Sequence, residues 1–176
     1  MKAVEQLERV IAGHLAFWQG LSGSETVETV MPALQPVIRV EGPIREERTT
    51  YLFEVTRFRR SRAPVQIEAW VLLGQPSVTL LEYDNPIVHD LEGTLRALGK
   101  PALVAESKNK FAKGAVVMEY VFAGRGLSLS IAEPANAIES KQRSAVHVQL
   151  FRAESAEYYI QYIGAGPELR PFPRER

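Results

Sequence analysis

A chain of 176 residues, of which 45% are hydrophobic and 24% charged, can build one core without a metal ion or a disulfide. Its 21 lysines and arginines balance 21 aspartates and glutamates, so no net field steers it towards nucleic acid. The absence of cysteine excludes disulfide frameworks, thiolate zinc sites and cysteine nucleophiles. The start of the chain lacks the apolar core of a signal peptide, and no apolar run approaches the roughly 18–20 residues of a membrane helix. We therefore expect a cytoplasmic protein without a membrane partner.

The first half of the chain predicts two short helices and then extended segments. Apolar residues at three-to-four spacing predict a helix over residues 3–19, and Ser24 is placed to cap a second helix that Pro32 interrupts. A short extended piece at 37–41 ends at Gly42. Alternating apolar residues bounded by turn residues then predict antiparallel strands at 50–58, 66–73 and 77–83.

The second half repeats this order more clearly. Asp90 is placed to cap a helix that ends at Gly99 and Pro101, and a short edge strand follows at 102–106. Further strands are predicted at 116–123, 127–133, 146–151 and 158–163, and residues 164–176 read as a loosely held tail. In the 127–133 strand, leucine and isoleucine alternate with Ser128 and Ser130, which predicts one buried face and one wet face.

These elements predict a single α+β domain over residues 1–176, with an antiparallel sheet and short helices on one face. Each half offers a short helix, an extended piece and a three-strand meander, so the pattern is consistent with tandem repeats at 21–86 and 87–163. If the repeat is real, the two sheets join edge to edge or pack together, because each needs cover for its apolar face.

A family resemblance rests on residues of the second half. The segments that carry it are Leu98-Gly99-Lys100-Pro101, Tyr120-Val121-Phe122, Arg125 to Ile131 and Val148-Gln149-Leu150-Phe151. This third of the chain resembles the repeat of beta-lactamase-inhibitor-like proteins and of their outer-membrane-assembly lipoprotein relatives, and small bacterial immunity proteins are similar in build. The resemblance implies a helix packed on a small antiparallel sheet and a protein that binds other proteins. It transfers no functional residue, and the lipid-bearing cysteine of the lipoproteins is absent.

Catalytic and metal-binding motifs are weak. His14, His89 and His147 have no spacing typical of a zinc site, and Asp90 after His89 is better explained as a helix cap than as half of a metal-binding dyad. Gly124-Arg125-Gly126 lacks the context of a dinucleotide-binding loop and is expected to be a turn. We therefore predict no catalytic residue, no metal ion and no cofactor.

Glu54, Glu68 and Glu82 lie one on each strand of the first meander. If residue 54 pairs with residue 68, two facing carboxylates could share a proton and act as acid and base. The alternative, which we favour, is a solvated sheet face neutralised by nearby arginines, because like charges directly opposite each other are destabilising.

Two groups of residues are candidates for binding. The densest basic cluster is formed by Arg57, Arg59, Arg60 and Arg62. This cluster at a hairpin tip could bind phosphate or an acidic partner, or it could be a solvated tip that protects a sheet edge. An exposed aromatic surface could be formed by Trp70, Phe151, Tyr158, Tyr159 and Tyr162, since Trp and Tyr are enriched at binding hot spots.

By elimination and by the resemblance, the sequence favours a non-enzymatic protein-binding module, an immunity-type inhibitor that occludes a bacterial toxin or enzyme. Such a protein would use its sheet face or its arginine-rich hairpin. The alternatives are a carboxylate-dependent hydrolase or isomerase, and a nucleic-acid adaptor that uses the arginines at 57–62. The near-neutral charge makes nucleic acid the less favoured partner.

Overall fold

An antiparallel sheet of eight strands runs through the described part of the computed structural model. The structure describes residues 20–30, 37–45, 48–55, 65–72, 76–86, 88–107, 116–133 and 143–160. Only the backbone is described for residues 37–45, 48–55, 65, 66 and 72. The strands are β1 Val37–Arg45, β2 Arg48–Val55, β3 Val65–Leu72, β4 Leu80–Asp84, β5 Leu103–Glu106, β6 Val116–Phe122, β7 Leu127–Glu133 and β8 Ser144–Phe151. The α-helices are α1 Val27–Val30, α2 Leu91–Leu98 and α3 Ala156–Tyr158.

The spatial order of the strands is symmetric about a central joint. It reads β1-β2-β3-β4-β8-β7-β6-β5, and every neighbouring pair is antiparallel. A helix and four strands thus occur twice in chain order, and the last strands of the two meanders, β4 and β8, pair edge to edge. The predicted α+β class with an antiparallel sheet is confirmed.

Apolar side chains on one face of the sheet are covered by α1 and α2, whereas α3 packs on the other face. Val30 of α1 and Leu91 and Leu98 of α2 are buried against strand residues that include Leu81 and Leu129. Period-two alternation along the strands supplies this face, and the three-to-four spacing in α2 supplies its apolar side. A second cluster, on the opposite face, contains Leu80, Leu103, Val121, Phe151 and Tyr159 together with the smaller Ala105 and Ala123. The sheet therefore has apolar residues packed on both faces.

Several local predictions are confirmed. The Oδ1 atom of Asp90 accepts a hydrogen bond of 2.8 Å from the backbone N–H of Gly93, so Asp90 is the N-cap of α2. Gly99 follows the helix with a positive φ of 83°, a conformation that glycine adopts without a Cβ penalty. The segment at 123–125 is a single 3₁₀ turn that ends at Gly126 in the left-handed region.

The predicted last strand at 158–163 is wrong over its described residues. Ser155 caps α3 by accepting a hydrogen bond from the backbone N–H of Tyr158, and residues 159 and 160 continue as a helical turn. Tyrosine and isoleucine favour strands, but tertiary packing of Tyr159 overrides that preference here. The helix predicted at 3–19 and the tail at 164–176 lie outside the described residues.

None of the described helices has both the length and the apolar character that crossing a bilayer requires; the longest, α2, has eight residues.

Two glycines bring the start of the first half against the end of β8. The N–H of Leu21 donates to the carbonyl of Phe151 at 3.0 Å, and the N–H of Phe151 donates to the carbonyl of Gly126 at 2.9 Å. A Cβ on Gly126 would lie 2.0 Å from the Phe151 carbonyl oxygen and 2.9 Å from the Cα of Gly20, and Gly126 has a φ of +66°. Only glycine therefore fits at this crossing.

We predict that Gly126→Ala lowers the free energy of unfolding by at least about 2 kcal/mol, because strain in the left-handed region adds to the backbone clash. Gly124→Ala is the matched control two residues away. A Cβ there meets nothing within 4 Å, and Gly124 has no positive φ. Urea denaturation of both variants measures the difference, and equal stability of the two would contradict the described crossing.

Candidate functional site

A row of polar residues crosses the sheet at the β4–β8 joint. Glu68 on β3 lies opposite Glu82 on β4, Glu82 lies opposite Gln149 on β8, and Gln149 lies opposite Ser128 on β7. Residues opposite each other in an antiparallel ladder point to the same face. The face of the sheet opposite α1 and α2 thus carries a continuous line of polar side chains.

The pairing of Glu54 with Glu68, which the disfavoured acid–base alternative required, does not occur. The register of β2 and β3 places Glu54 opposite Gln66 and Leu52 opposite Glu68. Two carboxylates do meet across strands, but they are those of Glu68 and Glu82. Each has a partner other than the opposing carboxylate, since Trp70 Nε1 donates to Glu68 at 3.3 Å and Gln149 Nε2 donates to Glu82 at 2.9 Å.

The second half of this face is covered by the chain itself. Tyr159, which follows α3, is completely buried, and its hydroxyl reaches Glu119 Oε1 on β6, Gln149 Oε1 at 2.6 Å and Ser128 Oγ at 3.2 Å. Ser128 Oγ in turn donates to Glu119 Oε1 at 2.7 Å. The wet serine face predicted for β7 is therefore wrong, because Ser128 and Ser130 are only 1% and 2% exposed.

Burial dominates the electrostatics of Tyr159. Removal from water, and then the neighbouring Glu119 carboxylate with its charge and its hydrogen bond, raise the pKa of the phenol well above its ordinary value of 10. The hydroxyl keeps its proton throughout the neutral range, and this single proton is shared among the contacts with Glu119, Gln149 and Ser128. Its role here is to satisfy buried acceptors, which would otherwise destabilise the fold.

The row continues from Gln149 to a histidine held by two carboxylates. Glu82 Oε2, which accepts from Gln149, also lies 3.3 Å from His147 Nε2, and Asp84 Oδ1 lies 2.8 Å from His147 Nδ1. The side chains of His147 and Glu82 are 12% and 13% exposed, whereas that of Asp84 is 63% exposed. Hydrogen-bonded contacts thus run from Glu119 through Tyr159, Gln149, Glu82 and His147 to Asp84.

Burial by itself lowers the pKa of His147, since it penalises the charged ring. Hydrogen bonds to Glu82 and Asp84 and the charges of both carboxylates outweigh burial, and together they raise the pKa above 6.5. This histidine, for which the sequence indicated no metal-binding role, is an ion-paired residue of the sheet.

The predicted binding residues fall into three groups. Trp70 and Tyr158 are half-buried, and both pack against the apolar cluster that contains Leu80. Tyr159 and Phe151 are fully buried, so the prediction that they line an exposed surface is wrong. Tyr162 and the arginines at 57, 59, 60 and 62 lie outside the described residues, and their roles stay predictions.

A pocket of about 250 Å³ lies on the helix side of the sheet, away from the polar row. It is lined by Val88, His89, Asp90, Leu91, Glu92 and Arg143. Arg143 is already engaged there, donating to Glu92 at 2.9 Å, to Glu133 at 2.8 Å and to the hydroxyl of Tyr120 at 2.7 Å. Arg143 therefore fastens α2 to the sheet.

Within the described residues, no group of three or more histidine, aspartate or glutamate side chains is arranged to hold a metal ion. Asp90, half of the dyad considered from the sequence, is occupied as the cap of α2. The chemistry that the polar row can perform is hydrogen bonding and ion pairing. Sequence reasoning missed the link through Gln149 and Ser128, and the one available signal was Glu119, an acidic residue in an otherwise apolar strand.

Comparison of the chain with protein-family models, with curated proteins and with solved structures finds no match.

We predict that Tyr159→Phe lowers the free energy of unfolding by about 1–3 kcal/mol, because the buried oxygens of Glu119 and Gln149 lose the one donor proton that they share. Glu119→Gln removes the charge while keeping the shape. In a double-mutant cycle the two substitutions are expected to couple by about 0.5 kcal/mol or more, since their atoms are in contact. Strict additivity in denaturant unfolding would show that the hydroxyl and the carboxylate do not interact.

Proposed function

We propose that the chain is a non-enzymatic protein-binding module, an immunity-type inhibitor that occludes a site on a bacterial toxin or enzyme. The observation that carries this proposal is the unequal covering of the sheet. Within the described residues, α1 and α2 pack on one face, Tyr159 covers the other face over β6–β8, and half-buried aromatic and acidic side chains remain on β3 and β4.

The proposed contact region is the Trp70 surface, defined here as Glu68, Trp70, Asp84 and Tyr158. Trp70 and Tyr158 are only partly buried, although both pack on the apolar cluster beneath them. A tryptophan supported from below keeps its conformation on binding, so it loses little side-chain entropy. Tryptophan and tyrosine in such positions are the residue types that contribute most to binding free energy.

Charge indicates the chemistry of the partner. The Trp70 surface carries two carboxylates, and Asp84 is 63% exposed at its edge. His147 is ion-paired with Asp84 but is itself largely shielded. We infer that the partner presents lysine or arginine side chains around an apolar contact, because opposite charges speed association and disfavour wrong partners.

Inhibition in this proposal is stoichiometric. The protein lies over a functional site of its partner and blocks access, so one molecule inactivates one partner molecule without turnover. The polar row supports a rigid surface of this kind, since its hydrogen bonds fix side chains on β4, β6 and β8 relative to one another.

The proposal predicts a 1:1 complex that is recovered from native lysate with the wild-type chain as bait and is then reconstituted from the purified components. Trp70→Ala is expected to raise the dissociation constant by about 30-fold or more, which corresponds to a loss of about 2 kcal/mol of binding free energy at a hot spot. Isothermal titration calorimetry measures both the stoichiometry and the loss.

Glu68→Lys and Glu106→Lys form a matched pair for the charge argument. Glu106 is exposed at the end of β5, and it lies opposite Met118 on β6. Successive residues of a strand point to opposite faces, and the neighbouring Glu119 points to the face that carries Glu68. Glu106 therefore lies on the other face of the sheet. Weaker binding of Glu68→Lys alone supports the Trp70 surface; equal effects of both, or a purified protein that captures no partner, would overturn the proposal.

A further inference from the structure

His147 lies at the only pairing between the two meanders among the described strands. The β4–β8 ladder places it directly opposite Asp84, and Glu82 lies two residues away on the same strand. Both ring nitrogens are used across this joint. Nδ1 is 2.8 Å from Asp84 Oδ1, and Nε2 is 3.3 Å from Glu82 Oε2.

The number of protons on the ring decides whether both contacts are favourable. A neutral imidazole has one N–H, so it can donate to one carboxylate while its other nitrogen presents a lone pair to the second. An imidazolium donates from both nitrogens and also carries the charge that attracts both partners. The geometry of the joint therefore fits the doubly protonated ring.

We propose that His147 is a proton-dependent lock across the β4–β8 joint, closed when the imidazolium bridges Glu82 and Asp84 and opened on the Asp84 side when the ring loses a proton. Asp84 is the partner that leaves, because its side chain is 63% exposed and water can solvate it. Glu82 is 13% exposed and is also bonded by Gln149, so it retains the remaining N–H of the ring.

The surroundings of the ring are consistent with this role. From β4, the titratable groups that face it are Glu82 and Asp84; β7 contributes Ser130, which lies opposite His147 and has no charge. Along β8 the same face carries Gln149, which leads to Tyr159 and Glu119. Burial opposes protonation of the ring, and the two carboxylates override it, so the pKa of His147 lies above its ordinary value of 6.5.

Release of Asp84 would weaken the end of the β4–β8 pairing at which it lies. The next residue, Asn85, has a positive φ of 52° and donates its N–H to the carbonyl of Val146 at 2.8 Å. This backbone bond lies just beyond the last ladder pair, Asp84 opposite His147, and without the Asp84–His147 contact it loses the support of that side-chain pair. Opening is therefore expected to begin there rather than at the opposite end, where Leu80 lies opposite Phe151 and both are buried.

The sign of the pH dependence follows from proton linkage. A histidine whose pKa is raised by folding adds stability that is complete below its unfolded pKa and is lost as pH rises through the folded pKa. The stability difference between wild type and His147→Gln is therefore expected to be larger at about pH 5.5 than at about pH 8.5, values on either side of the ordinary histidine pKa of about 6.5.

The experiment combines urea denaturation at the two pH values with NMR titration of the histidine rings. The chain has three histidines, so the signal missing from His147→Gln identifies His147 in the wild type. His89→Gln is the matched control, since His89 is exposed and lies outside the joint, and its stability difference should not depend on pH in the same way. Asp84→Asn should lower the pKa of His147, and the variant should remain folded because the side chain of Asp84 is exposed.

A His147 ring that titrates at or below the ordinary value, or a stability difference that is the same at both pH values, would overturn the proposal. If His147→Gln fails to fold, His14→Gln and His89→Gln assign the other two ring signals, and the wild-type and Asp84→Asn titrations then decide alone. If the His147 ring has the same pKa in both proteins, the proposal is overturned, whereas a lower pKa in Asp84→Asn supports it. None of these readouts depends on a binding partner.

Discussion

The β4–β8 joint is the constraint on which the rest of the structure depends. Each meander of four strands has two edges, and an isolated edge leaves a row of backbone N–H and C=O groups unpaired. Pairing the last strands of both meanders removes one edge from each and makes one sheet of eight strands. The register of this pairing, with Glu82 opposite Gln149 and Asp84 opposite His147, then determines which side chains from the two halves meet.

That register explains why a polar row can exist in a largely buried region. Glu119 and Glu82 are separated by two intervening strands, and each would be costly to bury alone. Tyr159 and Gln149 connect them, so that each carboxylate accepts a hydrogen bond and no described buried side-chain N or O atom lacks a partner. The covering of Glu119 depends on α3 and Tyr159, which follow β8 in the chain. The β4–β8 joint and the segment of α3 and Tyr159 therefore stabilise each other.

Sequence patterns predicted the local elements well. Alternation and turn residues gave five strands close to their observed positions, among them residues 127–133, and the cap at Asp90 and the positive φ of Gly99 followed from residue type alone. These features depend on neighbours within a few residues, where propensity and capping are decisive. The order of helix and strands in the two halves was readable for the same reason.

Features set by distant contacts could not be read in this way. Alternation in β7 correctly separated two faces, but it could not indicate that Tyr159, some 30 residues later, covers Ser128. Repulsion between like charges argued against a pairing of Glu54 with Glu68, but the actual register of β2 and β3 could not be predicted, because a long connection between them leaves it open, whereas a two-residue turn would specify it. The role of His147 required the register of strands far apart in the chain.

The same long-range contacts limit where a partner can bind. Tyr159 occupies the face of β6–β8, and the helices occupy the opposite side, so both regions are already used for stability. The part of β3 and β4 around Trp70 is held by the cluster below it and by Glu68 beside it, yet Trp70 remains half-buried within the part of the chain that the structure describes. The proposed binding surface would be rigid there because it borders the core, and it would lie beside the joint whose strength we propose depends on the charge of His147. Protein binding and proton binding would then act on the same strand, β4, and would share Asp84.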